Sequence, residues 1–171
     1  MARYHDEEWG RPCFDATLLF ECLNLEGAQA GLSWRSVLVR REGYRTAFLG
    51  FDPEAVAGLS DEHLEEILRT GEVIRNRAKV FGVRQNARAW LALAEPASFL
   101  WSFVGGSPLD HARQSLAEVP ATSDESVAMS KALKKAGFTF CGPTICYAFM
   151  QAVGMVNDHV VTCPAYEASK V

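Results

Sequence analysis

Apolar positions recur at helical spacing along almost the whole chain. Leu18, Leu19, Cys22, Leu23 and Leu25 form such a stripe, with Asp15 placed to cap its start and Gly31 its end. Ser33 is placed to cap a second helix with Val37, Leu38, Tyr44 and Phe48 on its inner side. Pro53 suits a first helical turn, and Ser60 opens a short amphipathic segment from Asp61 to Leu68. From Asn76 to Leu93 the period is carried by Val80, Val83, Ala87, Trp90 and Leu91. Thr122 and Glu125 have capping-box spacing before a helix that ends at Lys134, Lys135 and Gly137. Pro143 opens a last helix, closed by Gly154. The stretch 105–120, with its Gly-Gly and Ser-Pro pairs, reads as loop or mixed structure. No alternating strand pattern and no internal repeat interrupts this. The pattern predicts an all-α fold, a compact bundle of about eight helices in a single domain, 1–171.

At 171 residues the chain is long enough to hold a core without disulfides. No apolar stretch reaches membrane-spanning length, and the first residues lack the apolar region of a signal peptide. The five cysteines, Cys13, Cys22, Cys141, Cys146 and Cys163, are odd in number. They read as reduced thiols or metal ligands in a cytoplasmic protein.

The formal net charge of −4 argues against a polyanion partner, until the charges are placed along the chain. The first 30 residues are acidic. The stretch 69–88 carries Arg69, Arg75, Arg77, Lys79, Arg84 and Arg88 against Glu72 alone. A second basic knot is Lys131, Lys134 and Lys135. Solvated helix faces would explain either cluster; a phosphate backbone held locally would explain both.

Between the last two long helices runs Lys134-Lys135-Ala136-Gly137-Phe138-Thr139-Phe140-Cys141-Gly142-Pro143-Thr144. Gly137 is placed to end one helix with a positive φ, and Gly142 to begin the next. A helix start exposes unsatisfied N–H groups that bind phosphate, with Lys134 and Thr144 as further donors. This is helix-hairpin-helix logic over about 124–153. An ordinary αα-turn fits the same residues.

The chain also carries Tyr4-His5-Asp6-Glu7-Glu8-Trp9-Gly10, Leu25-Glu26-Gly27-Ala28-Gln29-Ala30-Gly31-Leu32-Ser33-Trp34, Cys141-Gly142-Pro143-Thr144-Ile145-Cys146-Tyr147 and Gly154-Met155-Val156-Asn157-Asp158-His159. With the hairpin, these motifs resemble the bacterial 3-methyladenine DNA glycosylase I family from Tyr4 to about Cys163. The resemblance implies a helix-hairpin-helix enzyme that hydrolyses the N-glycosidic bond of 3-methyladenine in alkylated double-stranded DNA. Membrane association and an obligate protein partner are not expected.

Such an enzyme swings the damaged nucleotide out of the stack into a pocket. A base methylated at N3 is cationic, leaves readily, and suits aromatic faces and a carboxylate. Glu26 sits in an apolar run, where a carboxylate needs a partner or a function. The resemblance gives it the base-contacting role, stacks Trp34 on the base, and adds Tyr4 and Trp9 to the pocket. The alternatives are a surface Glu26, a core Trp34, and an N-terminal arm packed through Tyr4 and Trp9.

No lysine lies between Lys135 and Lys170, so no Schiff-base amine follows the hairpin, and a monofunctional enzyme is expected. Asp158 falls where many helix-hairpin-helix glycosylases carry a general base, but the resemblance gives it no catalytic role.

His5, His159 and Cys163 match three ligands of the structural zinc that the resemblance implies. The fourth, a Cys upstream of the Tyr-His motif beside another Trp, is absent before Tyr4. Either the start is shortened or the site is incomplete, with Cys13 or a water as a substitute. Two other classes fit less of the sequence. A damage-sensing module would bind DNA without excising the base, and a metal-binding helical protein would leave the basic clusters and the hairpin unused.

Overall fold

The computed structural model describes residues 1–170. Its elements in chain order are α1 (Ala2–Glu7), α2 (Ala16–Gln29), α3 (Trp34–Leu38), α4 (Arg41–Ala47), α5 (Pro53–Ala57), α6 (Asp61–Thr70), α7 (Arg77–Leu91), α8 (Pro96–Trp101), β1 (Leu109–Asp110), α9 (Asp124–Lys135), α10 (Pro143–Ala152), β2 (Val156–Asn157) and α11 (Ala165–Ala168). None of these helices is long and apolar enough to cross a membrane.

The all-α reading holds, with two small departures. β1 and β2 pair in parallel over two residues each, Leu109 with Val156 and Asp110 with Asn157. The single helix expected after Ser33 is broken at Val39 and Arg40 into α3 and α4.

Several starts follow the caps read from the sequence. Asp15 accepts from Leu18 N–H, Ser33 from Ser36 N–H and Ser60 from His63 N–H. Asn76 adds a cap at α7, accepting from Lys79 N–H. The capping box of α9 lies one residue later than expected. Ser123 is the cap and Ser126 its reciprocal partner, because the helix begins at Asp124. Thr122 therefore stays outside it.

α2 is the central element. Leu19, Phe20, Leu23, Leu25 and Ala28 are buried among residues of α7, α8 and α10. Leu18 is exposed, since the first turn of α2 emerges from this packing, and Leu91 is exposed at the last turn of α7. Met129 and Leu133 of α9 pack with Phe149 and Met150 of α10 in the same apolar cluster.

Candidate active site

A cavity of about 530 Å³ opens between α1, the C-terminal half of α2, the start of α3 and the segment after α10. Tyr4, Trp9, Glu26, Gln29 and Trp34 line it, with Asp158 and His159 on the far wall. Thus the four pocket residues expected from the sequence do converge. No lysine lines this cavity.

Glu26 is 3% exposed, and its Oε2 is buried without a hydrogen-bond partner. The indole Nε1 of Trp34 is buried and unpartnered too. Among the described residues these are the only two buried side-chain nitrogen or oxygen atoms in that state. Such atoms cost free energy unless something arrives to pair with them. Burial pushes the Glu26 carboxyl up to about 8, so in the empty pocket it is largely protonated near neutrality. Burial likewise raises the Tyr4 phenol, which stays protonated. The rings of Tyr4 and Trp34 lie 5.4 Å apart, tilted by 44°, as two aromatic faces beside one carboxyl.

Trp9 serves the wall and a second cluster at once. Its ring stacks on His5 and meets His159 edge-on, and its carbonyl accepts from His159 Nε2 at 3.2 Å.

Asp158 lines the cavity but is fully engaged. Its carboxylate accepts from Arg113 Nε, Tyr147 OH and Gln151 Nε2 at 3.1, 2.6 and 2.9 Å.

His5, His159 and Cys163 stand together, with their donor atoms within 4.8 Å of one another. Cys163 Sγ is 3.9 Å from His5 Nε2 and 3.7 Å from His159 Nδ1. Tetrahedral zinc would hold sulfur and nitrogen about 3.6 Å apart. The outer nitrogens fit as well. His5 Nδ1 meets Asp6 and His159 Nε2 meets the Trp9 carbonyl, which leaves the inner nitrogens free as donors. The three residues fit the metal. Cys13 is not in the group; its N–H donates to Val153 O and it packs against the core.

The hairpin places its expected residues at one corner. Lys134 and Thr144 are exposed, and Gly142 is the N-cap of α10 with no side-chain cap. Gly137 takes a φ of +94°, which its lack of a Cβ permits. Gln85 and Asn86 of α7 hold the turn: Gln85 Nε2 donates to Gly137 O, and Asn86 Oδ1 accepts from the N–H and hydroxyl of Thr139. Asn86 and Gln85 had no signal in the sequence, because their partners lie about fifty residues away.

The charge reading needs correction. Arg69, Arg77 and Arg84 are paired with Glu66, Glu65 and Asp61 of α6, so half of the six cations in the 69–88 stretch are neutralised within the fold. Lys79 and Arg88 are used on backbone carbonyls. The acidic N-terminal end is also partly cancelled. Arg41 bridges Glu8 and Glu21, and Arg45 joins it on Glu21.

A buried carboxyl and aromatic faces around one pocket suit a flat, cationic ligand. The family model described as methyladenine glycosylase matches residues 1–166, and the chain belongs to that family. It is 49% identical to the DNA-3-methyladenine glycosylase 1 of Escherichia coli (strain K12), over 98% of this chain and 91% of that protein. A crystal structure of a 3-methyladenine DNA glycosylase I superposes with a TM-score of 0.93 at 48% identity, covering 95% of this chain and 92% of that one. A substituted 3-methyladenine DNA glycosylase I, solved in complex with 3-methyladenine, superposes with a TM-score of 0.93 at 32% identity. There 96% of this chain and 91% of that chain are covered.

Proposed function

We propose that this protein hydrolyses the N-glycosidic bond of 3-methyladenine in alkylated double-stranded DNA, leaving an abasic site without cutting the strand. The observation that carries this reading is the pair of unpartnered buried polar atoms, Glu26 Oε2 and Trp34 Nε1, facing one aromatic cavity. A base swung out of the helix brings a hydrogen-bond partner for Glu26 and a flat face for the indole of Trp34.

Trp34 stacks on the base, Tyr4 supplies a phenolic donor, and Trp9 closes the wall. The cationic charge of the N3-methylated base draws Glu26 into its carboxylate form, with the proton passing to solvent. An uncharged adenine offers no such compensation and meets a neutral carboxyl, which gives selectivity for the lesion. The lack of a lysine in the cavity fits hydrolysis without strand cleavage. The uncapped start of α10, with Gly137, Gly142, Lys134 and Thr144 around it, holds the backbone of the lesion strand.

His5, His159 and Cys163 would hold three positions of a structural zinc, with a water in the fourth, and would thereby tie α1 to the segment after β2 beside Tyr4 and Trp9. Protein purified without chelator should contain about one zinc per chain. Metal analysis finding none removes the site.

The reaction takes place in the cytoplasm, where the DNA lies.

The test is release of free 3-methyladenine from methylated duplex, followed by chromatography. The wild-type protein releases it, and Glu26→Gln and Trp34→Ala each slow release, on the order of 10–100-fold. Failure of the wild type to release base refutes the reading. Wild-type release by both variants removes the two assignments.

A further inference from the structure

Of the seventeen Lys and Arg residues, eight form ion pairs with carboxylates among the described residues. Arg11, Lys79 and Arg88 reach distant backbone carbonyls instead. The cations left to meet a ligand lie in two places. One is Lys131, Lys134 and Lys135 beside the hairpin. The other is Arg35, Arg40 and Arg75, all exposed, with no carboxylate oxygen within 4 Å among the described residues. Arg40 spends one bond on Ser36 O of its own turn.

Arg40 and Arg75 both line a groove of about 800 Å³. Leu32, Ser36 and Val39 form the wall on the Arg40 side, and the segment 70–75 forms the other. Glu72 is the one carboxylate on these walls, so the groove has a positive balance. The turn that joins Gln29 to Trp34 divides this groove from the base pocket, because Gln29 and Trp34 line the pocket and Leu32 lines the groove.

The separation from the hairpin follows from α7. Arg75 lies just before its Asn76 cap, and Asn86 holds Thr139 of the hairpin ten residues further on. At 1.5 Å per residue Arg75 and Asn86 are roughly 16 Å apart along α7, so the groove and the hairpin lie toward different ends of that helix. That exceeds the step of about 3.4 Å between successive phosphates of one strand, so the two sets of cations do not share neighbouring phosphates.

We propose that Arg40 and Arg75 bind the phosphodiester backbone of the strand opposite the lesion. The hairpin keeps the lesion strand, and the duplex is gripped on both strands while one nucleotide is withdrawn. This rests on the glycosylase reading, and it assigns the second half of the DNA contact.

The experiment compares wild type with the Arg40→Ala/Arg75→Ala double variant. The probes are a duplex holding a stable abasic-site analogue, and the same lesion strand alone. Binding is followed by fluorescence anisotropy over a range of salt. The variant should lose roughly tenfold or more in duplex affinity, and its salt slope should fall by about 2. Affinity for the single strand should stay unchanged. Equal losses on both probes overturn the proposal in favour of lesion-strand binding; no loss on either removes the groove from the DNA contact. Binding of free 3-methyladenine by the variant serves as the folding control. If wild type releases base from methylated duplex while the variant keeps its duplex affinity, only the groove proposal falls. If wild type releases none, the glycosylase reading falls first.

Discussion

α2 presents two differently finished faces. Toward α7, Asn24 accepts from Asn86 Nδ2 at 2.9 Å and donates its own amide to Phe20 O at 2.8 Å. Asn86 in turn bonds the carbonyl, N–H and hydroxyl of Thr139. Two residues further along, Glu26 points the other way and its buried oxygen has no partner. Residues two apart on a helix lie about 200° apart around its axis, so one helix separates a saturated network from an unsaturated pocket. The saturated side seats the hairpin, and close packing completes it. A Cβ on Gly27 would lie 3.1 Å from Phe140 Cβ, and one on Gly82 would lie 3.0 Å from Thr139 Oγ1. The comparison shows how a small fold keeps costly groups at a binding site. The cost at Glu26 and Trp34 is tolerated because the neighbouring face leaves no buried polar atom unpaired.

The strongest way to break this comparison is to neutralise the costly face. Glu26→Gln should stabilise the protein while it impairs base release. The folded-state carboxyl, at about 8, lies above the ordinary 4.5, so the native state binds the proton more tightly than the unfolded chain. Wild-type stability contributed by this group is therefore intact below pH about 4.5 and declines as pH rises toward 8. The variant lacks that decline. Urea unfolding at pH 5 should give nearly equal stabilities. At pH 8.5 the variant should be ahead, on the order of 3–5 kcal/mol as an upper range. A constant difference between the two pH values would show that burial does not hold the carboxyl protonated.

How far this site was legible depends on the range of the interactions. Local signals were readable. The caps at Asp15, Ser33 and Ser60 each use a partner three residues on, and a carboxylate inside the apolar run 23–32 announced that Glu26 has a special environment. Interactions across the fold were not readable. Arg84 finds Asp61 and Arg77 finds Glu65 only because α6 packs on α7, so a stretch that looked free to hold phosphate is largely spent within the fold. The Asn24–Asn86 pair spans 62 residues, and neither asparagine stands out in its helix. The association of Arg40 with Arg75 failed to stand out for the converse reason. They lie 35 positions apart in the chain and share a groove only in the folded molecule.

A smaller effect tests the saturated face. Asn86→Leu keeps the volume close but removes every bond from α7 to Thr139. The Thr139 N–H, on an exposed residue, and the Asn24 side-chain Oδ1, on a buried one, would lose their partners. Each stranded group costs about 1–3 kcal/mol, and at Thr139 solvent recovers part of this, so the variant should lose roughly 2–3 kcal/mol in urea unfolding. The hairpin should also loosen while the pocket stays intact, since Glu26 and Trp34 do not touch this network. Free 3-methyladenine should then bind as in wild type, and affinity for duplex DNA should weaken. Equal weakening for free base would mean that the two faces of α2 are coupled, and that the seat of the hairpin shapes the pocket as well as the grip on DNA.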